Sequence, residues 1–207
     1  MRKRTKRKPP SRTLVVFPQN HAYWEPIRDS VQAVYPHIAA ARTSQDYLTD
    51  RMADTIITPP SEALERFDKG EADFDHYWYC LQSLYLLAHV VFAACDKWQY
   101  HYVDTQGKRR PELQNQAVEL FTAPLRQVQT RCETAYRDAL GHIGARHKRT
   151  GKYGLTGEDR AALQMMLQDL DDMTTWASVG MLTFAIDRCL ENLTRVERSI
   201  SKSRGWT

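Results

Sequence analysis

Residues 72–102 read ADFDHYWYCLQSLYLLAHVVFAACDKWQYHY, with no glycine or proline, and from His76 to Cys95 there is no Asp, Glu, Lys or Arg. A run this long without a breaker predicts a helix that is apolar nearly all round and belongs at the centre of a bundle. Two more long runs flank the reading. One starts at Pro111, a good first-turn residue, and continues to about Lys148, with Pro124 expected to kink or split it. The other opens at Thr156-Gly-Glu-Asp159, a capping box with Asp in place of Glu or Gln, and continues to about Ile200. Leu163, Leu167, Leu170 and Ala177 keep helical spacing there, and Met166, Met173, Trp176, Phe184 and Leu193 broaden the stripe. At 1.5 Å per residue each helix would be roughly 45–65 Å long, and short connections make neighbours antiparallel. The predicted fold is therefore all-α, an elongated antiparallel bundle of three long helices.

The same His76–Cys95 stretch is long enough to span a bilayer, and aromatic residues flank it on both sides. Gln82, Ser83 and His89 lie inside it, and the mean hydropathy of the chain is −0.59. A buried core helix, with no membrane partner, is the expected reading.

Shorter pieces precede the long runs. Pro26 suits the first turn of a helix whose Ile27, Val31 and Val34 share a face, limited by Pro36. Ser44 is the expected N-cap of a helix to about Ile56, stopped by Pro59-Pro60. A helix over Ser61–Lys69 should follow, with Gly70 closing it. Thr13–Phe17 is the one β-like run. The expected organisation is a disordered basic arm over 1–12, a cap of short helices over 13–70, and the long-helix bundle over 71–207. The last two should form one domain.

Charge is distributed unevenly. Of 29 basic residues, seven (Arg2, Lys3, Arg4, Lys6, Arg7, Lys8 and Arg12) fall in the first twelve positions with no acid, leaving 22 against 25 acids elsewhere. The body is mildly acidic, and the basic character belongs to the arm. A run of like charges followed by Pro9-Pro10 resists packing and favours phosphate backbones through counterion release. The apolar run Leu14–Phe17 is too short for the core of a secretory signal. Four cysteines without a C-x-x-C pair exclude a disulfide scaffold and point to a reducing, cytoplasmic setting.

Two further basic clusters fall at expected helix junctions. They are Lys108-Arg109-Arg110 and Arg146-His147-Lys148-Arg149 with Lys152, the second in a glycine-containing loop where Tyr153 could stack on a base. Cations near helix C-termini also favour the helix dipole, so both clusters have a purely structural reading. The junctions should lie about 50 Å apart. No recognition-helix pattern is present.

Catalytic signatures are sparse. Asp73-Phe-Asp-His76 is a D-x-x-H without the second E-x-x-H that a carboxylate–histidine metal centre needs, so no metal or cofactor is expected. Arg137-Asp-Ala-Leu-Gly-His142 resembles the R-x4-H motif of the HEPN ribonucleases, which are helical bundles. The resemblance covers six residues and implies RNA cleavage by Arg137 and His142 at a site shared by two protomers. Arg137 could equally pair with Glu133 one turn away. No phosphate loop, dinucleotide fingerprint or serine-hydrolase elbow occurs. The leading expectation is a non-enzymatic, nucleic-acid-associated adaptor or accessory subunit. The alternatives are a module that binds another protein or a second copy, and the HEPN-like ribonuclease.

Overall fold

The computed structural model describes residues 23–100 and 123–203, with side chains described over 23–95 and 123–191. Among them every regular element is helical, joined by one isolated bridge between Tyr47 and Ser178. The arm, Thr13–Phe17, Lys108–Arg110 and the expected helix start at Pro111 lie outside the described residues.

Helix α1 (Trp24–Val34) places Pro26 in its first turn, where no intrahelical donor is lost. Ile27 and Val31 are buried, whereas Val34 is half exposed where the helix overhangs. Tyr35, before Pro36, is already out of helical geometry. A short α2 (Ile38–Thr43) buries only Ala41.

The expected break at Pro59-Pro60 does not occur. A single helix, α3 (Asp50–Lys69), starts at Thr49, whose hydroxyl accepts from the Met52 amide at 3.3 Å, and carries both prolines inside. Pro60 cannot donate to the Ile56 carbonyl, which would leave that oxygen unpaired in the core. The buried Tyr23 hydroxyl donates to it instead, at 3.2 Å. Gly70, at φ 71°, closes α3 as expected.

Helix α4 (Phe74–Tyr100) is the central element, packed on α3 and on α7 (Val179–Ser203). Leu84, Leu86, Leu87, Val90, Val91 and Ala94 are buried. The buried Gln82, with its amide oxygen turned toward the indoles, accepts from Trp24 Nε1 at 2.9 Å and Trp78 Nε1 at 2.6 Å. By length and composition Phe74–Cys95 could cross a bilayer, but 61 % of its most apolar window is buried inside the protein.

The second run enters as helix over 123–131, passes through a π-helical turn, Cys132–Tyr136, and continues as α5 (Arg137–Thr150). Regular geometry is interrupted at that π turn, and the part of the run before Pro124 lies outside the described residues.

The third run is two helices, not one: α6 (Gly157–Trp176) and α7, separated at Ala177-Ser178. The division has a tertiary cause. Asp46 and Ser44 lend their carbonyls to the amides of Val179 (2.9 Å) and Gly180 (3.1 Å), which inside a continuous helix would bond to α6. The Ser178 hydroxyl caps the new start by accepting from the Met181 amide at 3.3 Å. The loop comes so close that a Cβ at Gly180 would lie 2.6 Å from the Ser44 oxygen. One hydrophobic cluster runs from Tyr23 and Ile27 through α3, α4 and α5 to Leu163, Leu170 and Leu182.

Candidate nucleic-acid interface

Helix α5 ends in His147, Lys148 and Arg149, and Gly151, at φ 73°, turns the chain into the loop toward α6. The cations sit where the carbonyl end of the helix dipole attracts positive charge. Lys148, Arg149 and Lys152 are exposed and make no ion pair among the described residues.

Arg146, in the same cluster, is engaged elsewhere. One guanidinium nitrogen lies 2.9 Å from Asp159 Oδ2 and another donates to the Gly154 carbonyl. Asp159 is 2 % exposed and anchors the whole corner. It completes the capping box at Thr156, accepting from that residue's amide at 3.0 Å while its own amide donates to the threonine hydroxyl at 3.1 Å. Its other oxygen lies 3.2 Å from His142 Nδ1. Burial alone would push the Asp159 carboxyl up. The hydrogen bonds from Thr156, Arg146 and His142 outweigh that and hold it below the usual carboxylate range.

Tyr153 corrects the expectation of a free stacking ring. It is 8 % exposed, with His147 parallel to it at 4.0 Å between centroids and Tyr77 stacked at 5.5 Å. Burial raises the pKa of its hydroxyl, with smaller contributions from Tyr77 and Asp73. An aromatic carried in a basic loop can satisfy the core as well as a base, and here α4 claims it.

A second carboxylate of α6 neutralises another arginine that sequence reasoning missed. Arg131 grips Asp169 with two nitrogens, at 2.9 and 2.6 Å, and Tyr136 donates its hydroxyl to the same carboxylate. The π turn begins just after Arg131 and ends on Tyr136, and both donors meet at one acceptor. The Asp169 contacts raise the Arg131 pKa above its ordinary value. Burial, then Asp169, raises that of Tyr136. The five-residue spacing from Arg131 to Tyr136 is the only trace of this in the sequence.

Arg137 and His142, five residues apart on α5, project about 140° apart at 100° per residue. Arg137 is 3.8 Å from Asp138 rather than paired with Glu133, and His142 faces Asp159. Glu133 accepts from Gln129 instead.

The D-x-x-H at the start of α4 is a helix cap. Asp73 Oδ1 accepts from the amides of Asp75 (3.0 Å) and His76 (3.2 Å), and the Asp73 amide reaches back to His76 Nδ1 at 3.3 Å. Among the described residues no three His, Cys, Asp or Glu side chains gather as a metal site. The buried Cys80, Cys132 and Cys189 thiols are each pushed up to about 12, chiefly by desolvation, which makes them poor nucleophiles. Comparison with protein-family models, curated proteins and solved structures finds no match to this chain.

Proposed function

We propose that the chain is a non-enzymatic, nucleic-acid-associated helical adaptor or accessory subunit, with its long helices antiparallel in an elongated bundle. It would grip phosphate backbone through residues 1–12, Lys108–Arg110 and the corner formed by Lys148, Arg149 and Lys152. One observation carries the reading. Arg131 and Arg146 are matched to Asp169 and Asp159, whereas the three corner cations face water with no carboxylate partner among the described residues. Unmatched cations at a helix end suit phosphate contacts that position a polyanion without reading its sequence. Four free cysteines fit a reducing, cytoplasmic setting.

The test is salt-dependent binding to mixed-sequence DNA and RNA. Deleting residues 1–12 should weaken binding and flatten its dependence on salt. A full-length chain with no salt-sensitive binding at moderate ionic strength ends the proposal.

A second reading, a module that docks another protein or a second copy, draws on α4. Tyr85 and Phe92 are 49 % and 51 % exposed, and Leu81 and Ala88 continue the same apolar stripe at helical spacing. Concentration-dependent sedimentation, abolished by Tyr85→Lys with Phe92→Lys, would support self-association. A monomer at all concentrations would leave only a foreign partner.

A further inference from the structure

The uncovered strip of α4 is nearly the same read in either direction. Leu81, Tyr85, Ala88 and Phe92 follow at intervals of four, three and four residues on a helix that is α-helical throughout. That spacing keeps them on one side. Tyr85 and Phe92 are half exposed, and no charged residue occurs from His76 to Cys95. Ala88 is the centre, with an aromatic ring about one turn away in each direction and Leu81 and Cys95 seven residues out.

Beside the strip is a hollow. A cavity of about 350 Å³ opens between α2, α4 and α7, with Ala93, Phe184, Arg188 and Glu191 among its walls. That volume is in the range of clefts that take small ligands, ample for one aromatic side chain. Ala93 directly follows Phe92, so the hollow adjoins the strip.

Its rim carries one charge of each sign. Arg188 lies over the Phe184 ring, 5.3 Å from the centroid, and donates to Glu191 at 3.1 Å. Both side chains are half exposed, so their pairing has little strength in water and is readily exchanged. Burial lowers the pKa of His89 and the Arg188 charge adds to that, which sets Arg188 near the residue after Ala88.

These features complement themselves. A two-fold interface puts the same patch on both sides, so what one copy offers the other must receive. When two α4 helices cross antiparallel at Ala88, Tyr85 of one copy comes level with Phe92 and Ala93 of the other, where the hollow opens. The α7 rims then meet in reverse order, with Arg188 of each copy toward Glu191 of the other. A parallel crossing would set Tyr85 level with Tyr85, away from the hollow. Two half-exposed rings offer only about 200 Å², against roughly 800 Å² per partner in a standard interface. Hollow and rim must therefore share the contact, and the dimer should be weak and reversible.

Resting on the docking reading above, we propose that the partner of this face is a second copy of the chain. The two α4 helices cross antiparallel at Ala88, and Tyr85 of each copy enters the hollow beside Ala93 of the other.

The experiment is sedimentation of the full chain across the micromolar range. Arg188→Glu and Glu191→Arg each set like charges across the interface and should weaken the dimer about three- to tenfold. Mixed in equal amounts, the two variants should pair as tightly as the unaltered chain. Mixing restores the contact between copies and leaves the one within each copy broken. Met165→Lys, at an exposed apolar position on α6, should leave the dimer unchanged, and thermal melts check that every variant folds. A mixture as weak as its components overturns this proposal and leaves the docking reading standing. So does a chain that is monomeric throughout. A dimer that survives Tyr85→Lys with Phe92→Lys overturns both.

Discussion

Single side chains hold this fold at points where the backbone would otherwise be left unpaired. Tyr23 is the clearest case, because its hydroxyl reaches the carbonyl that Pro60 leaves without an amide. Tyr23→Phe keeps the ring in its place and strands the Ile56 oxygen, so it should cost about 1–3 kcal/mol in a denaturant titration. A loss no greater than that of an exposed substitution would show that the oxygen has another donor. Asp159 has a larger share, since it caps α6, matches Arg146 and faces His142. Asp159→Ala should therefore cost about 3–5 kcal/mol, because it leaves a half-buried guanidinium unmatched. Hydrogen exchange should show the 151–156 loop and the first turn of α6 opening first.

Between elements, the loop after α2 decides where the third run breaks. Gly180 is the residue that permits it, because any side chain there would collide with the backbone carbonyls of Ser44 and Arg42. Gly180→Ala removes a helix-weakening glycine, yet it should destabilise the protein by about 1–3 kcal/mol through overpacking. A stabilised variant would mean that α7 can slide away from the loop at little cost. Gly151→Ala isolates the backbone effect, because nothing lies within 4 Å of its Cβ and only the φ of 73° opposes it. Its cost should be about 1 kcal/mol, read in the same titration.

For the molecule as a whole, acid is the informative perturbation. Hydrogen bonds from Tyr35 and Ser44 hold Asp46 below its ordinary pKa. Asp73 and Asp159 are lowered too, each against an opposing desolvation effect, by bonds from His76 and Thr156 among others. A carboxyl whose folded-state pKa is depressed stabilises fully above the unfolded value, and loses that contribution as pH falls through the folded one. Burial lowers the pKa of His89 as well, so thermal stability should begin to fall as pH drops through the ordinary histidine value and fall further below the ordinary carboxylate pKa. Asp159→Asn should melt lower at neutral pH and show a shallower acid limb. A parallel limb in that variant would mean that Asp159 contributes nothing to the acid transition.

The sequence by itself determined that the described chain is helical, because breaker-free length and apolar spacing are local properties that a reader of residues can see. It also located the basic corner, the Gly70 stop and the Thr156 capping box, each written in a few adjacent positions. Only the tertiary structure decided that α3 runs through two prolines, that Ala177-Ser178 is a break, and that Tyr153 is a core ring. It also decided which arginines keep their charge in water. Each of these depends on a partner far away in sequence: Tyr23 for Pro60, Ser44 for Gly180, Tyr77 for Tyr153, Asp169 for Arg131. A hydrogen bond or a packed ring is settled by what lies opposite it, and one strand of sequence does not say what that will be.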